Sequence, residues 1–113
     1  MISFDAFKKL DFRIATILEV EKISGTRNLL RLKIDMGELG QRQIVTGLAQ
    51  YYSVETLVGM QIIVLANLQP AVIRGVKSEG MLLAAETGKP GDPNYSVVLV
   101  VPEQKLPAGT PVH

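Results

Sequence analysis

The chain has 113 residues, 47% of them apolar and 20% charged, with twelve Lys and Arg against eleven Asp and Glu for a net charge of +1. Such a composition folds rather than staying disordered, and the near-neutral balance excludes a polybasic mode of nucleic-acid binding, so any such binding must rest on a local patch. There is no Cys and the only His is the last residue, His113, which removes disulfides, thiolate metal sites, Cys nucleophiles and a histidine triad or zinc site inside the fold.

The N-terminal segment has no long apolar run, so neither a signal peptide nor a membrane span is expected, and the cytoplasm is the default location. Ser3 is a good N-cap for a short helix over 4–9, with Phe4 and Phe7 on one face. So short a helix does not hold itself together in water, and its two Phe must dock on something. A long strand is expected over 11–24. Phe12, Ile14, Leu18 and Val20 share one parity, Ala15 and Ile17 the other, which predicts a strand that bends or is partly buried on both sides.

After turn residues at 24–28, residues 29–36 alternate cleanly. Leu30, Leu32, Ile34 and Met36 face a core, while Arg31, Lys33 and Asp35 face water. Gly37–Gly40 make a turn and 41–46 a third strand. Ser53 caps a short helix to about Val58. Residues 60–66 are continuously apolar and predict a strand covered on both faces. A turn through Asn67 and Pro70 leads to a short extended piece at 71–73. Residues 81–85 form a fifth strand, 87–94 a Gly- and Pro-rich loop, and 96–101 an extra strand before a proline-punctuated tail. Residues 1–113 read as one domain without repeats. Five main strands, a short helix between the third and fourth, and no βαβ periodicity predict an all-β OB-fold barrel, with a small β-sandwich as the alternative.

No catalytic set emerges. Glu79 and Glu86 carry no mark of an acid and base pair, Ser78 has no His to activate it, and Gly75 and Gly80 do not open a helix as a phosphate loop would. Charge is more informative. Between Lys22 and Arg42 stand Lys22, Arg27, Arg31, Lys33 and Arg42 against Asp35 and Glu38. Arg31 and Lys33 share one strand face, about 7 Å apart. In an OB-fold the second and third strands carry the ligand face. A second basic set, Arg74 and Lys77, follows the fourth strand. No aromatic residue lies in 29–46 or 67–86, so this face offers no base-stacking platform, and bound RNA would be read through phosphates, sugars and shape. Tyr51 and Tyr52, beside the short helix, read as packing residues.

The segment Asn67-Leu68-Gln69-Pro70, then Arg74-Gly75, then Ser78-Glu79-Gly80-Met81-Leu82-Leu83-Ala84-Ala85 resembles the tRNA-binding OB domain of methionyl-tRNA synthetases. The same module occurs in free-standing structure-specific tRNA-binding proteins, the endothelial monocyte-activating cytokine group and CsaA-type export chaperones. Asp11-Phe12-Arg13-Ile14, Ile34-Asp35-Met36-Gly37 and Ile44-Val45-Thr46-Gly47-Leu48 are similar to further family motifs. One stretch departs: the family's Asp and Lys before the second strand fall on Arg27 and Asn28. The resemblance implies a homodimer of OB-folds that binds tRNA by shape, without catalysis or a cofactor. Its setting would be a synthetase C-terminal domain or β-subunit, partnering a methionyl-tRNA synthetase catalytic polypeptide, or a free-standing homologue. It places Arg13, Arg31, Lys33, Arg42, Asn67, Arg74, Lys77, Ser78, Glu79 and Met81 at the RNA. Asn67 and Ser78 are expected to point outward to backbone or 2′-hydroxyls, and Met81 to play a mixed role. The alternative implied is a CsaA-like chaperone for unfolded polypeptide, which needs an exposed apolar channel where an RNA binder needs a continuous positive strip.

Overall fold

The computed structural model describes residues 1–113. Helix α1 (Phe4–Lys8) is capped by the Ser3 side chain, which accepts from the Ala6 amide. Four long strands follow: β1 (Phe12–Lys22), β2 (Leu30–Asp35), β3 (Gln41–Thr46) and, after helix α2 (Val54–Leu57), β4 (Gln61–Leu65). Ser53 caps α2 by accepting from the Thr56 amide. Then come the hairpin β5 (Ala71–Ile73) and β6 (Val76–Ser78), β7 (Met81–Leu82), the pair β8 (Ala84–Thr87) and β9 (Ser96–Leu99), and a short β10 (Pro111–Val112).

The main sheet has the antiparallel order β3-β2-β1-β4-β7 and curls into an OB-type half-barrel, not a sandwich. Alternation supplies the apolar inner face of the curled sheet. Leu30, Leu32 and Ile34 of β2, Ile62 and Val64 of β4, and Ile44 of β3 are fully buried in one cluster with Met36 and Leu57. Each such side chain contributes about 1.5–3 kcal/mol through burial. In β1 the register slips between Ile17 and Glu19, so Leu18 bulges out unpaired and 37% exposed. The bulge explains the mixed parity of that strand: Ala15 and Ile17 point in before it, and Val20 returns to the core after it.

The expectation of a β4 strand covered on both faces needs correction. Ile62 and Val64 are buried, but Gln61, Ile63 and Leu65 are only half-buried on the other side. The fifth strand also differs from the expected continuous run. It changes partner at Leu83, from β4 on one side of that residue to β9 on the other. The β6 strand was not foreseen at all.

Closure of the barrel depends on side chains. β3 and the end of β6 are joined by one backbone bond, in which the Glu79 amide donates to the Gln43 carbonyl at 2.9 Å. The rest is side-chain chemistry. Buried Ser78 accepts from the Val45 amide at 3.0 Å and donates to the Gly80 carbonyl at 3.3 Å. The Gln43 side chain donates to the Lys77 carbonyl at 2.9 Å. Gly80 follows at φ +127, and a Cβ there would meet the Leu65 carbonyl oxygen at 2.9 Å. Only glycine accommodates both the dihedral and the close approach.

The tail is stitched to β1 and β4. The Ile14 amide donates to the Thr110 carbonyl and the Gly109 amide to the Ile14 carbonyl. The Gln61 side chain imitates a strand partner, donating to the Leu106 carbonyl at 2.6 Å and accepting from its amide at 3.0 Å.

Ser78→Ala leaves the buried Val45 amide without its acceptor. Urea denaturation is expected to report a loss of about 1–3 kcal/mol, whereas an unchanged midpoint would mean that the seam does not close the barrel.

Candidate nucleic-acid interface

The outward side chains of β2 and β3 form a shallow concave face. A hollow of about 530 Å³ on it is lined by Glu19, Arg31, Lys33, Gln41, Arg42, Gln43 and Glu79, with no apolar residue among them. The β1–β2 ladder sets its electrostatics. Glu21 stands opposite Arg31 and Glu19 opposite Lys33. Arg31 Nη2 lies 3.1 Å from the Glu21 carboxylate and Lys33 Nζ 3.8 Å from that of Glu19. Both acids are well exposed, so these pairs are weak and open to exchange for a phosphate.

Arg42 sits at the edge of the face. Its Nη1 donates to the Ala66 carbonyl at 2.6 Å, which fixes the guanidinium between the hollow and a second one reaching Asn67 and Pro70. Glu79 lines both hollows, its carboxylate 3.4 Å from the Gln43 amide that donates to it.

Arg74 and Lys77 belong to the β5–β6 hairpin, which packs beside β3. Ile73 pairs with Val76, so Arg74 and Gly75 form the two-residue tip, both at positive φ (52 and 79). That is the I′ geometry whose twist matches a hairpin. A non-glycine residue there costs about 1–2 kcal/mol, and Arg74 is the only one in the chain. Arg74 and Lys77 are exposed and take part in no ion pair.

The remaining expected site residues lie elsewhere or turn inward. Ser78 does not point out: it is 3% exposed and its hydroxyl is engaged in the closure seam. Asn67 is exposed, but its side chain accepts from the Asp11 amide at 2.9 Å and donates to the Lys9 carbonyl at 2.7 Å, tying α1 to β1. Arg13 is a clamp at the start of β1. Its Nε donates to Asp11 at 2.6 Å and its Nη1 to the Gly109 carbonyl at 3.2 Å, holding the tail. Met81 is half-buried opposite Leu65 and lines a separate groove with Tyr51 and Tyr95.

Glu19 and Glu21 also belong to the face, although the basic cluster from Lys22 to Arg42 gives no sign of them. Their alternation mirrors Arg31 and Lys33 across the turn at 24–28, and antiparallel pairing about that turn would have found them.

Comparison with known proteins shows the family. Residues 12–111 match the family model described as "Putative tRNA binding domain". The methionine–tRNA ligase of Methanothrix thermoacetophila is 51% identical over 109 residues, 96% of this chain. The chain spans only about 15% of the length of that relative. Among solved structures, a MetRS-related protein from Pyrococcus horikoshii has a TM-score of 0.88 at 34% identity, covering 100% of this chain and 98% of that one. The chaperone CsaA of Bacillus anthracis has a TM-score of 0.87 at 35% identity, covering 100% and 99%. The family match over residues 12–111, with the relatives and solved structures it is similar to, shows that the chain belongs to the tRNA-binding domain family related to methionyl-tRNA synthetase.

Proposed function

We propose that the chain is a non-catalytic module that binds tRNA by shape and backbone and adds tRNA affinity to aminoacylation, as a methionyl-tRNA synthetase β-subunit or a free-standing homologue. The observation that carries this reading is the β2–β3 face. It is concave and has no apolar lining; Arg31 and Lys33 run along it, Arg42 reaches its hollow from the core side of β3, and the hairpin that carries Arg74 and Lys77 packs beside β3. These five cations stand against four acids, Glu19, Glu21, Asp35 and Glu79. Such a surface fits phosphates and sugars, not an unfolded polypeptide. The non-catalytic reading has its own support. The Ser78 hydroxyl is spent inside the seam, and Glu79 is held at a strand backbone. The cytoplasm is the location that tRNA binding implies, and a synthetase catalytic polypeptide is a natural partner.

The second reading is a CsaA-like export chaperone. It is favoured by the likeness to CsaA and by an apolar hollow of about 360 Å³ beside α1, lined by Phe4, Phe7, Leu10 and Val112 among others. We assign that hollow to a second copy of the chain instead. Helix α1 has five residues, none buried, and Phe4 is 71% exposed. A helix this short needs a docking surface to persist. A two-fold homodimer covering α1 is expected, and a monomeric mass by light scattering at tens of micromolar would exclude it.

Total tRNA should shift the protein in native gels, and excess unfolded polypeptide should not displace it. Displacement by polypeptide would favour the chaperone. For the face itself, replacing Arg31 and Lys33 by Ala should lower the log–log salt slope of tRNA binding by about 0.7–0.9 per lost phosphate contact. The melting temperature should barely move, because the carboxylate partners of both pairs are exposed and such pairs are weak. An unchanged slope would mean that the face is only solvated.

A further inference from the structure

The groove at the far end of β3 has no role in the reading above. The loop after β3 and the segment entering β9 bring Tyr51 and Tyr95 together, ring centroids 5.9 Å apart at 64°. This edge-to-face contact is a preferred aromatic geometry, and Tyr51 still remains 38% exposed. Its sequence neighbour Tyr52 is a packing residue: it is half-buried, and its hydroxyl accepts from the Leu99 amide at 3.0 Å. Tyr51 and Tyr95 border a groove of about 650 Å³ whose other walls include Asn28, Gln50, Met81 and Glu86. Partial burial and then the adjacent Glu86 carboxylate hold the Tyr95 phenol above its usual range.

Three features suit this groove to a planar, edge-polar ligand attached to phosphates. An exposed tyrosine face stacks on any base. Asn28 and Gln50 offer amide donors and acceptors, and Glu86 accepts from an amino-bearing edge. Arg27, next to Asn28, and Lys89, next to the lining residue Pro90, are exposed at the rims and take part in no ion pair. The groove adjoins the ends of the strands that carry the basic face: Asn28 shortly precedes β2 and Thr46 ends β3, and both line it.

We propose that the Tyr51–Tyr95 groove receives one unpaired nucleobase of the RNA lying on the β2–β3 face, stacked on Tyr51 with Asn28, Gln50 and Glu86 along its edge. The proposal rests on the RNA-binding reading and adds a base contact to a face that otherwise meets backbone.

The chain has no Trp and two of its three Tyr border the groove, so the part of the tyrosine fluorescence change that is lost in Tyr51→Phe reports the groove. Wild type, Tyr51→Phe and Tyr51→Leu are titrated with tRNA, with a single-stranded tetraribonucleotide and with an unfolded polypeptide, after their melting temperatures are checked. Both RNAs should quench the fluorescence. Tyr51→Phe keeps the ring and should bind as wild type does. Tyr51→Leu should lose roughly 5- to 100-fold in affinity for both RNAs with the salt slope unchanged. A folded Tyr51→Leu that binds both RNAs as wild type does would overturn the proposal, as would quenching by the polypeptide alone. Should Tyr51→Leu fail to fold, Glu86→Gln at an exposed side chain replaces it. Loss of discrimination among homo-oligoribonucleotides supports the site, and unaltered discrimination overturns it. Wild type that binds no tRNA would defeat the reading of the previous subsection. Tyr51-dependent quenching by the tetranucleotide would still uphold the groove.

Discussion

The hydrogen bond from the Val45 amide to the Ser78 hydroxyl does what a backbone ladder does elsewhere in the barrel. A curled sheet that ends in free edges offers its unpaired amides to other chains. Here β3 would be such an edge. Ser78 takes one buried donor, Glu79 takes the next through its carboxylate and gives its own amide to Gln43, and Gly80 lets the chain pass under β4 to begin β7. The three residues therefore close the fold. They also set where the β5–β6 hairpin lies, because Ser78 is the last residue of β6.

The candidate interface follows from that closure. With the seam in place, β6 and its Lys77 lie beside β3, next to the face that carries Arg31 and Lys33, and Arg74 stands at the tip of the same hairpin. The motif read in the sequence as a row of RNA contacts is thus divided in two. Ser78 and Gly80 build the scaffold, and Arg74 and Lys77 project from it. Asn67 belongs with the scaffold as well, its amide fastening the α1–β1 junction. Such a division is physically reasonable, since a rigid frame spares a binding surface the ordering cost of a mobile loop.

Much of this was legible in the sequence, and for local reasons. The strict alternation of 30–35 and the caps at Ser3 and Ser53 are governed by neighbours along the chain, and they appear in the structure where the pattern put them. What the pattern missed is set by residues far apart. The Leu18 bulge and the partner change at Leu83 depend on register between strands. The partial cancellation of Arg31 and Lys33 by Glu21 and Glu19 depends on the same pairing. The inward turn of Ser78 could not be read locally, because a serine at a loop-to-strand junction suits the surface equally well until the Val45 amide is known to need an acceptor. Tyr51 and Tyr52, beside the short helix, read as packing residues, and both pack, Tyr52 against Leu99 and Tyr51 edge-to-face on Tyr95; that Tyr51 also stays 38% exposed depends on a partner distant in sequence.

The central claim is that closure joins two basic sets into one strip. Its most direct test is the salt dependence of tRNA affinity for wild type, Arg31→Ala with Lys33→Ala, Arg74→Ala with Lys77→Ala, and all four together. Both pairs should lower the slope, and the fourfold variant should lower it by more than either pair, with each protein fully folded at the temperature used. A hairpin pair that leaves the slope at the wild-type value, while the strand pair lowers it, would contradict the account.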